Sequence, residues 1–124
     1  MPVTPIEPAG RHFIEGYGAG RFRIAGVDHR GPVLVLRTRT EAWTVADLAQ
    51  LTAESLQPVI DAGDINVLLL GCGARMALVP PAMRESLRAA GVVIEPMDTG
   101  SACRTYNVLL AEDRQVAAAL IPLP

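Results

Sequence analysis

The segment from residue 98 to residue 107 holds the densest group of side chains that could do chemistry. Its candidate residues are Asp98, Thr99, Ser101, Cys103, Arg104 and Asn107. A thiol near a helix N-terminus with a guanidinium beside it has a lowered pKa and can act as a nucleophile. Acyl transfer by a thiol also needs a positioned base, and the two histidines, His12 and His29, both lie in the N-terminal segment. We therefore assign no catalytic residue and expect Cys103 to pack in the interior, where free cysteine is common.

A second candidate loop runs from Gly71 to Arg75 and opens with Gly71, Cys72 and Gly73, directly after an aliphatic run. Glycines after a strand let backbone N–H groups approach an anion. The full glycine spacing of a dinucleotide-binding loop is missing, and no helix follows directly. We therefore interpret the two glycines mainly as turn residues and expect a packing role for Cys72.

The composition excludes several classes of mechanism. The chain of 124 residues has no lysine, which excludes a lysine Schiff base and a P-loop lysine. Two cysteines and two histidines are too few and too dispersed for a zinc site, so we expect reduced thiols, no metal and no cofactor. A net charge of −2 gives no electrostatic footprint for nucleic acid. No apolar run approaches the roughly 20 residues of a membrane span, so we expect no membrane insertion and a cytoplasmic location.

Hydrophobic patterning places both loops after predicted strands. Aliphatic runs predict strands over 67–70, 92–97 and 116–121. Proline at the start and glycine past the end predict a helix over 82–90, and a capping Asp98 or Thr99 predicts a helix that reaches about Asp113. Strands and helices joined by short loops imply parallel crossovers. Because the strands before the two loops are sequential, we expect both loops on one rim of the sheet, which is the default ligand site of such sheets.

The N-terminal part has a strand-like pattern. Polar and apolar residues alternate over 21–24, and glycines punctuate three short segments, 12–20, 21–26 and 31–37. This pattern predicts three antiparallel strands joined by turns with positive φ at glycine. Residues 45–51 fit either a helical turn or a short strand, and Pro58 leaves the start of a helix ending at Gly63 undecided.

These elements predict a single α/β domain over residues 1–124. We expect three layers: a mixed, mostly parallel sheet with helices packed on it and an antiparallel N-terminal β extension. With 50% hydrophobic and only 4% aromatic residues, the core must be aliphatic.

Three strings carry a resemblance to a known family. They are GYGAGRFRIAG at 16–26, LLLGCG at 68–73 and MDTGSACRTYNVL at 97–109. They resemble a widespread family of α/β domains of unknown function, whose eukaryotic members include the mitochondrial complex I (NADH dehydrogenase) assembly factor 3 and an adipogenesis-associated cytoplasmic protein. The similarity runs from about Ile14 to Ile121. It implies a three-layer fold and supplies no catalytic residues. Cys72 stands where the resemblance implies a small hydroxyl residue.

Two functions follow as hypotheses. The first is a non-enzymatic accessory or assembly protein that binds another protein, as the resemblance to the assembly factor implies. The second is a small-molecule or anion binder, or an enzyme, that uses the rim. The candidate rim residues are Gly71, Cys72, Gly73, Asp98, Thr99, Ser101, Arg104 and Asn107. An exposed apolar patch favours the first hypothesis, and a deep cleft with convergent polar groups favours the second.

Overall fold

The structure of the protein is a computed structural model, and it describes residues 10–124. The predicted domain also included residues 1–9, which lie outside the described residues. Two sheets and three helices make up the described part. The elements are β1 (Ile14–Gly18), β2 (Arg21–Ile24), β3 (Val27–Arg30), β4 (Val33–Val35), β5 (Thr40–Ala42), α1 (Gln57–Ala62), β6 (Val67–Cys72), α2 (Pro81–Ala89), β7 (Val93–Met97), α3 (Thr99–Ala111) and β8 (Val116–Ile121).

The central sheet has five strands in the order β5-β4-β8-β6-β7. Strand β6 is parallel to both β7 and β8, which confirms the three predicted parallel strands. Strand β4 is antiparallel to both β5 and β8, so the sheet is mixed. Four of the five strands run in the same direction and only β4 is reversed, so the expectation of a mixed, mostly parallel sheet is confirmed. Strand β8, which follows all the others along the chain, lies in the middle of the sheet.

The predicted N-terminal extension is present as the antiparallel sheet β1-β2-β3. Its third strand, however, is Val27–Arg30 and not the predicted 31–37 segment. Ala25 and Gly26 both have positive φ, 49° and 79°, so they form a tight hairpin turn that brings the chain straight back onto β2. The three residues of β4 are all buried, and they fit the central sheet, which is covered on both faces.

The glycines of the N-terminal segment divide into two groups. Gly20, Gly26 and Gly31 have the positive φ that the turn prediction requires. Gly16 and Gly18 lie within β1 and have no positive φ, so the turn prediction is wrong for these two.

The undecided region between residues 45 and 63 is helical. Leu48–Gln50 forms a 3-10 turn, in which the Asp47 side chain caps the start and Gln50 completes the capping box. A second 3-10 turn, Glu54–Leu56, leads into α1. Pro58 lies in the first turn of α1, where proline is tolerated, and Gly63 ends the helix with a φ of 74°.

The alternating side chains of the central sheet form two cores. One core packs α1, α2 and the two 3-10 turns against one face, with Leu68, Leu70, Ala117 and Ala119 contributed by the sheet. The other packs α3 and the β1–β3 sheet against the opposite face, with Leu69, Val116, Ala118 and Leu120 from the sheet. The predicted three layers are therefore present, and the cores are largely aliphatic as expected.

Helix α3 lies close to the sheet at Gly71. A Cβ at this position would lie 2.8 Å from Leu120 Cδ2, 3.0 Å from Thr99 Oγ1 and 3.2 Å from Thr99 Cα. Because Gly71 has no side chain, Thr99, the first residue of α3, packs directly on strand β6.

We expect Gly71→Ala to lower the free energy of unfolding by about 1–3 kcal/mol, because the added methyl group overpacks this contact. Gly16→Ala is the matched control, since Gly16 also lies in a strand and a Cβ there meets nothing within 4 Å. Urea unfolding of both variants measures the difference. Equal stability of the two variants would show that α3 does not depend on the close approach.

Candidate functional site

The N-terminus of α3 lies at the rim that the sequence analysis singled out. Asp98 is the N-cap residue, and its carboxylate accepts hydrogen bonds from the Ser101 N–H at 3.0 Å and the Ser101 hydroxyl at 2.6 Å. These bonds, from the hydroxyl first, hold the pKa of Asp98 below its usual value, and the nearby Arg104 lowers it further. Asp98 and Ser101 therefore bond to each other and cap the first turn of α3.

Thr99 joins the two predicted loops. Its buried hydroxyl accepts a hydrogen bond from the Gly73 N–H at 2.8 Å and donates one to the Ile121 carbonyl at 2.5 Å. Its own N–H donates to the Gly73 carbonyl at 2.8 Å. The two loops therefore meet on one rim, as predicted. The N–H of Gly73, which the anion-binding hypothesis requires, already has a partner within the chain.

The two cysteines do not share one environment. Cys103 is buried in the core beneath α3, and burial raises its pKa to about 12 against the opposing effect of Arg104. The thiol is therefore protonated at neutral pH, and its burial agrees with the packing interpretation. Cys72 is half-buried against the other core, and its thiol donates to the Leu70 carbonyl at 3.6 Å.

Arg104 is exposed and pairs with a residue that the sequence analysis did not place at the rim. Its Nη1 donates to the Tyr17 hydroxyl at 2.6 Å and its Nη2 to Ser101 Oγ at 3.3 Å. The partners of Arg104 are therefore hydroxyls and not backbone carbonyls or the Asp98 carboxylate. Gly100 makes the pairing possible, because a Cβ there would lie 3.0 Å from the Tyr17 hydroxyl. Gly100 is the feature of the sequence that could have indicated this contact, but no neighbouring residue connects it with Tyr17.

Asn107 faces away from the rim loops and fixes the N-terminal sheet to α3. Its side chain accepts from the Ile14 N–H at 2.8 Å and donates to the Ile14 carbonyl at 2.7 Å. The adjacent Tyr106 is fully buried, and its hydroxyl lies 2.9 Å from the His12 carbonyl and 3.2 Å from the Leu36 carbonyl. One turn of α3 therefore anchors the start of β1 and the end of β4.

The predicted site residues thus divide by position. Four of them make contacts that connect elements of the fold: Gly71, Gly73, Thr99 and Asn107. Cys72 lies against the core on the other face of the central sheet. Asp98, Ser101 and Arg104 remain at the surface, with Tyr17 beside them. Within residues 10–124, no group of three or more His, Cys, Asp and Glu side chains is arranged to hold a metal ion. None of the helices in this range has the length and apolar character needed to cross a bilayer.

Comparison with solved structures defines the class of domain. The solution structure of a Bordetella pertussis protein described as an Mth938-like domain superimposes with a TM-score of 0.85 and 29% sequence identity, covering 98% of this chain and 92% of that one. The two-sheet, three-helix arrangement is therefore that of the Mth938-like domains.

The family follows from the sequence comparison. The model of a family described as "Protein of unknown function (DUF498/DUF598)" matches residues 14–121, and the chain belongs to this family. An uncharacterised protein of Rhodobacter capsulatus is 47% identical over 98% of this chain and 95% of its own length. The NADH dehydrogenase [ubiquinone] 1 alpha subcomplex assembly factor 3 of Danio rerio is 38% identical over 100% of this chain and 72% of its own length.

We expect Thr99→Val to lower the free energy of unfolding by about 2–4 kcal/mol, because it leaves the Gly73 N–H and the Ile121 carbonyl without their partner. Thr99→Ser keeps the hydroxyl, so it should cost only about 1 kcal/mol for the lost methyl group. Urea unfolding of the two variants measures the effect. A valine variant as stable as the serine variant would contradict the role of this hydroxyl.

The pKa of Cys103 predicts a loss of stability at high pH. The pKa of the thiol is 9.0 in the unfolded chain and about 12 in the folded one, so its contribution to stability is complete below pH 9 and is lost as the pH rises towards 12. We expect the unfolding free energy of the parent chain to decline faster than that of Cys103→Ala in this range, by about 1.4 kcal/mol per pH unit. Unfolding under reducing conditions at several pH values tests this. Parallel pH curves would show that Cys103 is accessible to solvent in the folded chain.

Proposed function

We propose that the chain is a non-enzymatic accessory protein that acts by binding another protein in the assembly of a membrane-bound NADH dehydrogenase. The observation that carries this proposal is the closed rim. In open α/β sheets, ligands enter the crevice at the carboxyl ends of the strands. In this chain that space is occupied, because Thr99 and Leu120 pack directly over Gly71.

The surface beside the rim supports a protein partner. The loop between β6 and α2 carries Met76 and Leu78, which are 56% and 84% exposed. The two side chains belong to one loop, so together they offer exposed apolar area that a partner protein could cover. The name of the Danio rerio relative adds the kind of assembly, since that protein is described as an assembly factor of NADH dehydrogenase.

The alternative, a small-molecule or anion binder at the rim, rests on fewer groups. Of the candidate rim residues, Asp98, Ser101 and Arg104 keep polar side chains at the surface, and all three form hydrogen bonds with one another or with Tyr17. Arg75, at the end of the other rim loop, is exposed as well. A ligand there would have to displace these contacts. The closed rim therefore favours the accessory function.

Deletion of the gene in the source cells tests the proposal. We expect less fully assembled NADH dehydrogenase and more of its partial assemblies on native gels, because an accessory protein acts before the complex is complete. Another respiratory complex from the same membranes serves as the internal control, and re-expression of the chain should restore the assembled enzyme. A normal amount of assembled NADH dehydrogenase in the deletion strain would refute the proposed function.

A further inference from the structure

The outward face of the β1–β3 sheet has features that the fold does not require. Ile14, Phe22 and Ile24 point into the core. The strand register then places a different set of residues on the opposite side. That set, which we call the outward face, is Gly16, Gly18, Arg21, Arg23, Asp28 and Arg30.

The fold gives no steric reason for the two glycines of the outward face, although Gly16 adjoins a shift in the register between β1 and β2. Neither has a positive φ, so the backbone conformation suits any residue. A Cβ at Gly16 would meet nothing within 4 Å, and one at Gly18 would meet only Arg21 Nε at 3.8 Å. Glycine inside a strand weakens it, and it is found where a ligand or another backbone approaches closely. The bare backbone of β1 is therefore suited to contact with another chain.

The arginines of the outward face are unevenly compensated. Arg23 is paired with Asp28 at 3.2 Å and with Glu15 at 4.0 Å. Arg21 and Arg30 lie directly opposite each other on β2 and β3, and in the part of the chain that the structure describes neither has an ion-pair partner. Like charges directly opposite on neighbouring strands are destabilising. An anionic group placed between them would remove this repulsion.

A surface hollow lies at the same place. It has a volume of about 370 Å³, and its lining residues are Gly16, Tyr17, Arg21, Phe22, Arg23 and Asp28. Its charged side chains, Arg21, Arg23 and Asp28, are all exposed, so the hollow opens onto the flat sheet. An extended chain can lie along such a face, with its side chains in the hollow.

We propose that the outward face binds an acidic, extended segment of the partner protein, with its carboxylates between Arg21 and Arg30 and its backbone over Gly16 and Gly18. The inference rests on the proposed function and adds the surface and the chemistry of the partner. Arginine suits this role, because its planar guanidinium donates two parallel hydrogen bonds to a carboxylate.

Binding of a defined peptide tests the proposal. The probe is a peptide in which Glu and Ser alternate, added at fixed ionic strength to the isotope-labelled chain and followed by NMR. We expect shifts confined to the outward face and its flanking turns, and no binding of the matched peptide with Gln in place of Glu. Arg21→Gln and Arg30→Gln should each weaken binding about tenfold, as expected for the loss of one charge-assisted contact.

Arg88→Gln is the matched control, because it changes the net charge equally but lies on α2, in the layer on the other side of the central sheet. It should leave the affinity within about twofold, since a distant surface charge is screened by salt. An equal loss in Arg88→Gln would reveal a general charge effect and overturn the proposal. Shifts outside the outward face, or no binding at all, would do the same.

The glycine argument has its own test. Gly16→Thr should weaken peptide binding while the midpoint of thermal unfolding stays the same or rises, because threonine favours strands and has open space at this position. A lowered midpoint would show that the fold itself needs the glycine, which would overturn this part of the inference.

Inorganic phosphate separates a peptide site from a site for small anions. We expect phosphate at the concentration of the peptide not to displace it. Displacement would overturn the proposed occupant in favour of a small anion. If the gene deletion impairs assembly while the peptide does not bind this face, the proposed function stands and this inference falls.

Discussion

The seating of α3 on the ends of β6 and β8 is the contact on which the other features of the structure depend. Gly71 removes the side chain that would hold the helix away, and the buried Thr99 hydroxyl then links the β6 loop to the end of β8. About two turns further on, Tyr106 and Asn107 fix the start of β1 and the segment after β4. A single helix therefore sets the distance between the two sheets and the position of the N-terminal extension.

Because α3 packs on the strand ends, the surface that we propose for recognition is not the strand-end crevice, where open α/β sheets usually bind ligands. In sheets of this kind the strand ends form a crevice, but here the polar backbone groups of that crevice are satisfied by Thr99. Arg21 and Arg30, which have no ion-pair partner in the described chain, lie on the outward side of the N-terminal sheet. The polar backbone groups of the rim have hydrogen-bond partners within the chain, whereas the charges of Arg21 and Arg30 on the outward face have no ion-pair partner in the described chain. Both observations favour binding of another chain over enclosure of a small ligand.

The part of the fold that could be predicted from the sequence is the part specified by local signals. The aliphatic run before Gly71, the proline and glycine around α2 and the capping Asp98 each act over a few residues. Strand partners are decided by distant segments, so the pairing of β4 with β8 left no local trace. The same reason explains the missed contact between Tyr17 and Arg104, which are 87 residues apart. The turn prediction is wrong for Gly16 and Gly18 because a glycine in a turn and a glycine within a strand look the same in the sequence.

The position of β8 has a consequence for the order of folding. The β4–β5 hairpin and the β6–β7 pair can each form from segments that precede β8, but they become one sheet only when β8 enters between them. Contacts between residues far apart in the chain slow folding, and this one joins residues 33 and 120. During synthesis, the halves of the central sheet must therefore wait on the ribosome with open strand edges until β8 emerges. Such edges pair readily with other chains, and the entry of β8 covers both of them.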